Sequence, residues 1–218
     1  MFTGIIETTG TIVAIEPRHG TSRITVSAPA FADRLRLGDS IAVSGTCLTA
    51  LEMKPPIFYA DLAAETLART SLGILEAGSL VNLELPTVAG APLGGHVVQG
   101  HVDGRGELVS FNPVDARADP ELTDWWLRVR VPENTRSYMV EKGSIAIEGI
   151  SLTIATWDGD IVGVAILPHT RRATNLRVLK PGDPVNIEAD VMIKLAVDQK
   201  RPGSRFDVTL EYLLANGY

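Results

Sequence analysis

The side chains best suited to chemistry are one cysteine and two histidines that stand beside glycines. Cys47 lies in the run Gly45–Thr49, and a cysteine thiolate is a nucleophile. His96 and His101 lie in a second glycine-rich run, where an imidazole that titrates near neutral pH suits proton transfer. Each has a structural alternative, since a lone cysteine is commonly a small buried hydrophobe and a histidine can simply be hydrogen-bonded in place. The surrounding elements decide whether these groups meet a ligand.

The chain contains an internal repeat. Ser40–Thr49 and Ser144–Thr153 are identical at six of ten positions, at an offset of 104 residues. The same offset aligns Gly78–Glu84 with Gly182–Glu188, so the register persists over more than forty residues. Near the start of each copy the offset is 96, because the second copy has gained eight residues in a polar loop at Asn112–Asp124. A repeat of this length predicts two copies of one domain and two similar ligand sites.

The two copies keep some polar positions and exchange others. The aligned pairs are Cys47 and Ser151, Thr49 and Thr153, Glu65 and His169, Thr66 and Thr170, and Ile5 and His101. Shared glycines and leucines are explained by tight backbone and core packing, whereas polar groups kept or exchanged at equivalent places favour ligand contact. The asymmetry fits a donor site and an acceptor site for two like molecules. Holding both in register supplies effective molarities of about 10⁵ to 10⁸ M.

The local pattern predicts an all-β fold with a C-terminal helical tail. Short β-branched segments between glycine and proline turns predict about six strands per copy, and closing each copy into a Greek-key β-barrel removes exposed strand edges. Short helices are predicted at Glu65–Thr70 and Glu133–Val140, and helical spacing recurs at Val191–Val197 and Phe206–Asn216. We therefore predict an N-terminal barrel over residues 1–92, a C-terminal barrel over 93–190, and a helical tail over 191–218.

Composition excludes several classes of protein. A net charge of −6 argues against nucleic-acid binding, and a single cysteine forms neither an internal disulfide nor a cysteine-rich zinc site. A reducing cytoplasm is the expected compartment. The N-terminal residues show no signal peptide, and no apolar run reaches membrane-spanning length, so we expect no membrane association.

Six motifs occur in a fixed order along nearly the whole chain. They are Met1–Ile6, Gly45–Thr49, Glu65–Leu67, Gly94–Gly104, Gly149–Thr153 and Val185–Asp190. Each motif alone is weak, but their order and spacing together are specific. On these motifs the chain resembles the riboflavin synthase family.

The resemblance implies a reaction and an assembly. Family members convert two molecules of 6,7-dimethyl-8-ribityllumazine into riboflavin and 5-amino-6-(D-ribitylamino)uracil by transfer of a four-carbon unit, without a metal or redox cofactor. They are homotrimers joined by their tail helices, with the active site between the N-terminal barrel of one chain and the C-terminal barrel of a neighbour. Association with a lumazine synthase is left open.

The resemblance also implies site residues, carried over by motif. Those expected to line the N-barrel site are Gly4, Ile5, Ile6, Cys47, Leu48, Thr49, Asp61, Leu62, Ala63, Ala64, Glu65 and Thr66. Those expected to line the C-barrel site are Gly100, His101, Val102, Lys142, Ser151, Leu152, Thr153, Leu167, Pro168, His169, Thr170, Arg171 and Arg172.

The catalytic groups expected from these motifs are five. Cys47 is predicted as nucleophile or polarising group, and His101 is preferred over His96 for proton transfer. Ser151 and Thr153 would orient substrate or water. Asp190 is either a helper in proton transfer or the N-cap of the helix that begins at Val191.

Some positions depart from the family pattern, and other functions compete. Ser44 stands where the family often has Asn, and His169 replaces the glutamate expected from the first repeat, which puts the ribityl contacts of the second site in question. The main alternative is a non-catalytic lumazine- or flavin-binding protein on the same scaffold, and the presence of Cys47, His101 and Ser151 favours the enzyme. A flavin reductase would need a nicotinamide-binding fingerprint that the sequence lacks. A purely structural protein would leave the polar matches unexplained.

Overall fold

The computed structural model describes residues 1–199, so the helix predicted at Phe206–Asn216 lies outside the described residues. Two seven-stranded antiparallel sheets are the main secondary structure of this part of the chain. Among residues 1–199, no helix has both the length and the apolar character needed to cross a membrane.

The first sheet uses residues 8–84. Its strands are β1 (Thr8–Arg18), β2 (Thr21–Ser27), β3 (Ser40–Val43), β4 (Thr46–Thr49), β5 (Glu52–Lys54), β6 (Ile57–Ala63) and β7 (Leu80–Glu84). They are hydrogen-bonded in the order β4-β3-β7-β1-β2-β6-β5. Alternation of buried and exposed residues along β1 and β6 turns one face of the sheet inwards.

The second sheet repeats this topology. Its strands are β8 (Gly104–Pro113), β9 (Trp125–Arg130), β10 (Ser144–Ile147), β11 (Ile150–Thr153), β12 (Thr156–Trp157), β13 (Ile161–Ile166) and β14 (Pro184–Ala189). Their order, β11-β10-β14-β8-β9-β13-β12, is that of the first sheet strand for strand. The tandem duplication read from the sequence is therefore confirmed in the fold.

Each sheet curls so that its two edges are neighbouring parts of one bent strand. Only Ala50 and Leu51 separate β4 from β5, and the Leu51 N–H donates to the Tyr59 carbonyl of β6 at 2.8 Å. In the second sheet Ala155 donates to Gly163 at 2.9 Å in the same way. The sequence predicted about six strands per copy, a number that treats the stretch from β4 to β5 as one strand. The structure has seven because that strand bends in its middle, and counting the bent strand once restores six per barrel.

Helices are few and short. The α-helices are α1 (Ala64–Arg69), α2 (Pro168–Ala173) and α3 (Val191–Asp198), and 3-10 helices span Pro29–Phe31, Ser71–Gly73, Glu133–Tyr138 and Asn175–Arg177. The helices predicted at Glu65–Thr70 and Val191–Val197 are confirmed within one residue at each end. The segment predicted as a helix at Glu133–Val140 is a 3-10 helix that ends at Tyr138.

Each barrel encloses its own apolar core. Ile24, Phe58 and Leu62 are fully buried in the first, and Leu127 and Ile145 are essentially fully buried in the second. The two cores are separate clusters, and between them lies a small apolar cluster of Phe2, Ala42, Val98 and Ala146 together with buried polar groups. The barrels are thus two separately packed units joined along a shared interface.

The β3–β4 and β10–β11 hairpins meet back to back at that interface. Ser44 and Gly45 both have positive φ, as do Glu148 and Gly149, which is the backbone of a type I′ hairpin turn. A Cβ on Gly45 would lie 2.7 Å from the Gly149 nitrogen, so glycine is required for the two turns to touch. Ser44 and Glu148 thus adopt a positive φ, a conformation that asparagine adopts more readily than serine or glutamate.

Candidate active site

The segment that leads into each barrel lies against the other barrel. Residues 1–7 precede β1, yet the Gly4 carbonyl accepts a hydrogen bond from the Ser151 N–H on β11 at 2.8 Å. Residues 95–103 precede β8, yet the Gly100 carbonyl accepts from the Cys47 N–H on β4 at 2.9 Å. We call these two stretches the leader segments. They pair with each other through Phe2 and Val98, so each crosses to the opposite barrel.

Glycine is required where each leader segment meets the opposite hairpin. Gly4 and Gly100 have φ of +74° and +79°, a region that side chains disfavour. A Cβ on Gly4 would lie 2.6 Å from the Ser151 Cβ, and a Cβ on Gly100 would lie 2.6 Å from the Cys47 Cβ. Both close contacts bring a leader segment directly beside a candidate reactive side chain.

The first pocket lies beside Cys47. It is an open cavity of about 160 Å³ between the β4 strand, helix α1 and the second leader segment. Its lining residues are Thr46, Cys47, Glu65, Thr66, Arg69, Thr70, Gly100, His101 and Val102. The Cys47 side chain is half-buried, and His101 is exposed at the rim.

The second pocket lies beside Ser151. It is an open cavity of about 210 Å³ between β11, helix α2 and the first leader segment. Its lining residues are Gly4, Ile5, Ile6, Ile150, Ser151, Leu152, His169, Thr170, Ala173 and Thr174. Most of these positions are the repeat equivalents of the first pocket's residues, so the duplication produced two pockets of one design.

The sequence-based assignment of the leader segments to the pockets is wrong. Gly4, Ile5 and Ile6 were expected at the N-barrel site, but they line the pocket beside Ser151 of the second barrel. The run Gly100–Val102 was expected at the C-barrel site, but it lines the pocket beside Cys47 of the first barrel. The reason is the crossing of the two leader segments, which a repeat alignment does not reveal.

Several predicted residues lie outside both linings. Leu48 and Leu62 belong to the first apolar core, and the Asp61 carboxylate is ion-paired with Arg23 at 2.8 Å, which lowers the pKa of Asp61. Thr49, Ala63, Ala64, Thr153, Leu167 and Pro168 flank the pockets on strand ends and helix starts. Lys142 lies exposed in the turn before β10, with φ of 66° and its N–H bonded to the Ile154 carbonyl.

A histidine–serine pair forms at the second pocket. His96 Nδ1 lies 2.7 Å from Ser151 Oγ, whereas sequence reasoning preferred His101 for proton transfer. Burial lowers the pKa of His96, and the nearby Asp190 carboxylate partly offsets this effect. The imidazole is therefore neutral at pH 7 and can accept the serine proton. Its Nε2 is buried without a hydrogen-bond partner among the described residues. The feature of the sequence that could have pointed to His96 is the Gly94-Gly95-His96 run. Glycine is needed there because a Cβ on Gly95 would meet Ser151.

Asp190 caps helix α3. Its Oδ1 accepts from the Met192 N–H at 2.9 Å, which supports the capping interpretation of this residue. Two further carboxylates near the leader segments, Glu84 and Glu188, were not anticipated as functional residues. Both are buried, and burial raises the pKa of each.

Arg171 and Arg172 face the enlarged loop of the second barrel. The Arg171 guanidinium stacks on the Trp125 ring at 4.1 Å and is ion-paired with Glu121 at 3.2 Å, while Arg172 donates to the Glu121 carbonyl at 2.8 Å. These arginines therefore hold helix α2 against the loop rather than lining the pocket.

The fold and the paired pockets define a protein built from two lumazine-binding domains. The family described as "Lumazine binding domain" matches residues 3–86 and 99–190. The chain is 39% identical to riboflavin synthase of Actinobacillus pleuropneumoniae over 100% of both chains. It is 42% identical to riboflavin synthase of Mycobacterium bovis over 89% of this chain and 95% of that one. The chain belongs to the riboflavin synthase family.

A solved structure shares the same architecture. The crystal structure of LumP complexed with riboflavin superposes with a TM-score of 0.77 at 25% identity, covering 87% of this chain and 99% of that chain. The likeness extends over both barrels.

Proposed function

We propose that this chain catalyses the dismutation of two 6,7-dimethyl-8-ribityllumazine molecules to riboflavin and 5-amino-6-(D-ribitylamino)uracil. The observation that carries the proposal is the pair of repeat-related pockets, one with a thiol and the other with an imidazole–hydroxyl pair at the equivalent place. A reaction between two like molecules requires two similar binding sites with different chemistry. Because the four-carbon unit passes between two copies of one substrate, no external oxidant is needed.

Each pocket within one chain is smaller than a complete ligand site. Cavities of about 160 and 210 Å³ are below the usual range of about 300 to 1,000 Å³ for a whole drug-sized ligand site. We propose that backbone groups of the leader segments meet the ring edge. Thr66 in the first pocket and Thr170 in the second would bind the ribityl chain.

The other half of each active site would come from a neighbouring chain. Both pockets are open, which leaves the bound ring accessible to a second ring presented from outside. We propose a homotrimer in which the N-terminal barrel (1–92) of one chain faces the C-terminal barrel (93–190) of the next. The tail (191–218) would join the chains. Cytoplasmic location and association with a lumazine synthase stay predictions.

The His96–Ser151 pair is the proposed proton-transfer group of the second pocket. The C7 methyl of the lumazine is acidic because the resulting carbanion is delocalised into the ring. Neutral His96 accepts the Ser151 proton, and the serine oxygen in turn takes a proton from the methyl group.

Cys47 is the proposed nucleophile of the first pocket. Addition of its thiolate to the ring would form a carbon–sulfur bond, with the electron pair passing to a ring nitrogen that takes up a proton. The bond breaks again as the product ring forms and the electron pair returns to sulfur. His101, at the rim of this pocket, is placed to exchange protons with the same ring.

The test is direct. Flavin-free protein is mixed with 6,7-dimethyl-8-ribityllumazine, without metal or nicotinamide, and riboflavin formation is followed by absorbance. We expect catalytic turnover with one riboflavin formed per two lumazines consumed.

A binding protein is the alternative, because the LumP structure shares the fold and is complexed with riboflavin. Tight binding of the lumazine without any turnover would establish that alternative and remove the roles given to Cys47 and Ser151.

A further inference from the structure

Two buried glutamates occupy equivalent places at the ends of β7 and β14. Glu84 and Glu188 align at the repeat offset, and each is only 3% exposed. Neither lines the pocket beside Cys47 or the pocket beside Ser151. Burying a carboxylate is costly unless hydrogen bonds compensate it, so their partners are informative.

The Glu188 carboxylate accepts hydrogen bonds from backbone N–H groups of the second leader segment. Its Oε1 accepts from the Gln99 N–H at 2.7 Å, and its Oε2 accepts from the N–H groups of Gly100 and His101 at 3.0 Å each. The same segment lines the first pocket and accepts from the Cys47 N–H. A carboxylate of the second barrel thus holds the wall of the first barrel's pocket.

Glu84 of the first barrel holds the first leader segment in the equivalent way. Its Oε1 accepts from the Thr3 N–H at 2.6 Å and the Thr3 hydroxyl at 2.7 Å, and its Oε2 accepts from the Gly4 N–H at 3.0 Å. The Gly4 carbonyl accepts from the Ser151 N–H in the second pocket. The first barrel therefore holds the wall of the second barrel's pocket.

Ion pairing does not explain why the two carboxylates are buried. Near Glu188 stand Asp103 and Lys194, which form an ion pair with each other at 2.7 Å. Near Glu84 stands the acidic Glu7. Burial, opposed by the backbone donors, raises the pKa of Glu188 to about 7 and also raises that of Glu84. The backbone N–H groups of the leader segments are the main stabilising partners of both.

We propose that Glu84 and Glu188 are positioning residues for the reaction, each setting the geometry of the pocket on the opposite barrel. This inference rests on the proposed function for its catalytic meaning. A carboxylate is suited to the task because it has only acceptors, and three converging N–H or O–H donors use them. A glutamine would turn an NH₂ group towards some of the same donors.

The lone cysteine makes the test specific to one pocket. Cys47 is the single cysteine of the chain, so its rate of modification by a chromogenic aromatic disulfide at pH 8 reports on the first pocket. We expect Glu188→Gln to raise this rate about tenfold, since a lost charge-assisted hydrogen bond shifts local opening by about that factor. Glu84→Gln is the matched control and leaves the Cys47 rate unchanged.

A reciprocal pair of variants moves the reporter to the second pocket. In a background of Cys47→Ser with Ser151→Cys, the thiol stands beside Gly4 instead of Gly100. There we expect Glu84→Gln to raise the modification rate and Glu188→Gln to leave it unchanged. This second arm keeps the inference testable if either glutamate variant fails to fold in one background.

The pattern across the four combinations decides the outcome. A rise confined to the crossed pocket supports the positioning roles, because a general loss of packing would raise both rates. Equal rises at both reporters, or no rise at either, would overturn the inference. Modification rates do not depend on turnover. If the protein binds lumazine without converting it, the proposed function is wrong, but the modification rates still test the positions that Glu84 and Glu188 set.

Discussion

At the scale of single residues, the duplication kept the frame of each pocket and changed its reactive group. Cys47 and Ser151 occupy the same strand position, and each donates its N–H to the leader segment that crosses to it. Thiol and hydroxyl differ in acidity and nucleophilicity, so the same backbone can support nucleophilic addition at one pocket and proton transfer at the other.

Removing the thiol should affect turnover more than binding. We expect Cys47→Ala to lower kcat by at least about tenfold, a barrier change of about 1.4 kcal/mol, with little change in riboflavin affinity. The comparison is of steady-state kinetics with fluorescence titration, and Cys47→Ser serves as the near-isosteric control. Equal losses of turnover and affinity would assign Cys47 a packing role.

The histidine of the second pocket predicts a pH dependence. A base must be unprotonated, so kcat/KM should fall as the pH drops through the pKa of His96, which burial places below the ordinary value of about 6.5. Deprotonation of His96 should cause no further change in kcat/KM as the pH rises above 7. In His96→Gln we expect a rate lower by about 10² to 10⁴ and no acid limb from this group. An unchanged acid limb in that variant would transfer the role to another residue such as His101.

At the scale of elements, the enlarged loop of the second barrel braces helix α2. In the first barrel Leu67 of α1 packs on the apolar core, whereas its repeat equivalent, Arg171, stacks on Trp125 and pairs with Glu121. The inserted residues thereby replace an apolar anchor with a polar one. Helix α2 also places His169 and Thr170 in the lining of the second pocket. The loop therefore affects the pocket indirectly, through the position of this helix.

Weakening this brace should loosen ligand binding. We expect Glu121→Ala to raise KM about threefold to tenfold with little change in Tm, because an ion pair whose carboxylate is exposed stabilises the fold by only about 0 to 1 kcal/mol. Glu107→Ala is a matched control, since Glu107 is equally exposed and pairs with Arg130 on the same barrel away from the pocket. Equal effects of the two variants on KM would show that the loop does not act on the pocket.

At the scale of the whole molecule, the barrels are joined by buried polar groups. Asn82 and Asn186 each donate a side-chain N–H to the opposite hairpin turn, at the carbonyls of Glu148 and Ser44. Asn82 also donates to the Asn175 Oδ1 of the second barrel at 2.8 Å, and Asn175 in turn donates to the Glu148 carboxylate of its own barrel at 2.7 Å. Burial raises the pKa of the Glu148 carboxyl. Directional bonds of this kind fix one relative placement of the barrels, which an apolar interface would specify less strictly.

Buried carboxyls should give the fold a measurable pH dependence. The pKa of Glu188 is about 7 in the folded chain, above its ordinary value of about 4.3, so the folded state binds this proton more tightly than the unfolded state. Its contribution to the free energy of unfolding is therefore fully present below about pH 4.3 and is lost as the pH rises through about 7, a change of about 4 kcal/mol.

Urea unfolding at several pH values measures this effect. We expect the stability of the chain relative to its Glu188→Gln variant to decrease between pH 5 and pH 8. Taking the difference removes the opposite contribution of His96, whose pKa is lowered. A relative stability that rises over this window would contradict the assignment.

The amino-acid sequence by itself determined the repeat, the all-β class, the strands and the residue pairs that distinguish the two pockets. These features are local: strands follow from alternation and β-branched residues, and repeat equivalents follow from a constant offset. Cys47 and Thr66 line one pocket and Ser151 and Thr170 line the other, because each hairpin and the helix beside it are built within one barrel.

Only the tertiary structure decided which leader segment completes which pocket. Gly4 and Gly100 each stand immediately before their own barrel in the chain, and nothing local shows that they cross to the other. The crossing depends on the Phe2–Val98 pairing and on Glu84 and Glu188, contacts between residues more than eighty positions apart. The His96–Ser151 pair also depends on tertiary structure, since it joins the second leader segment to β11 across 55 positions.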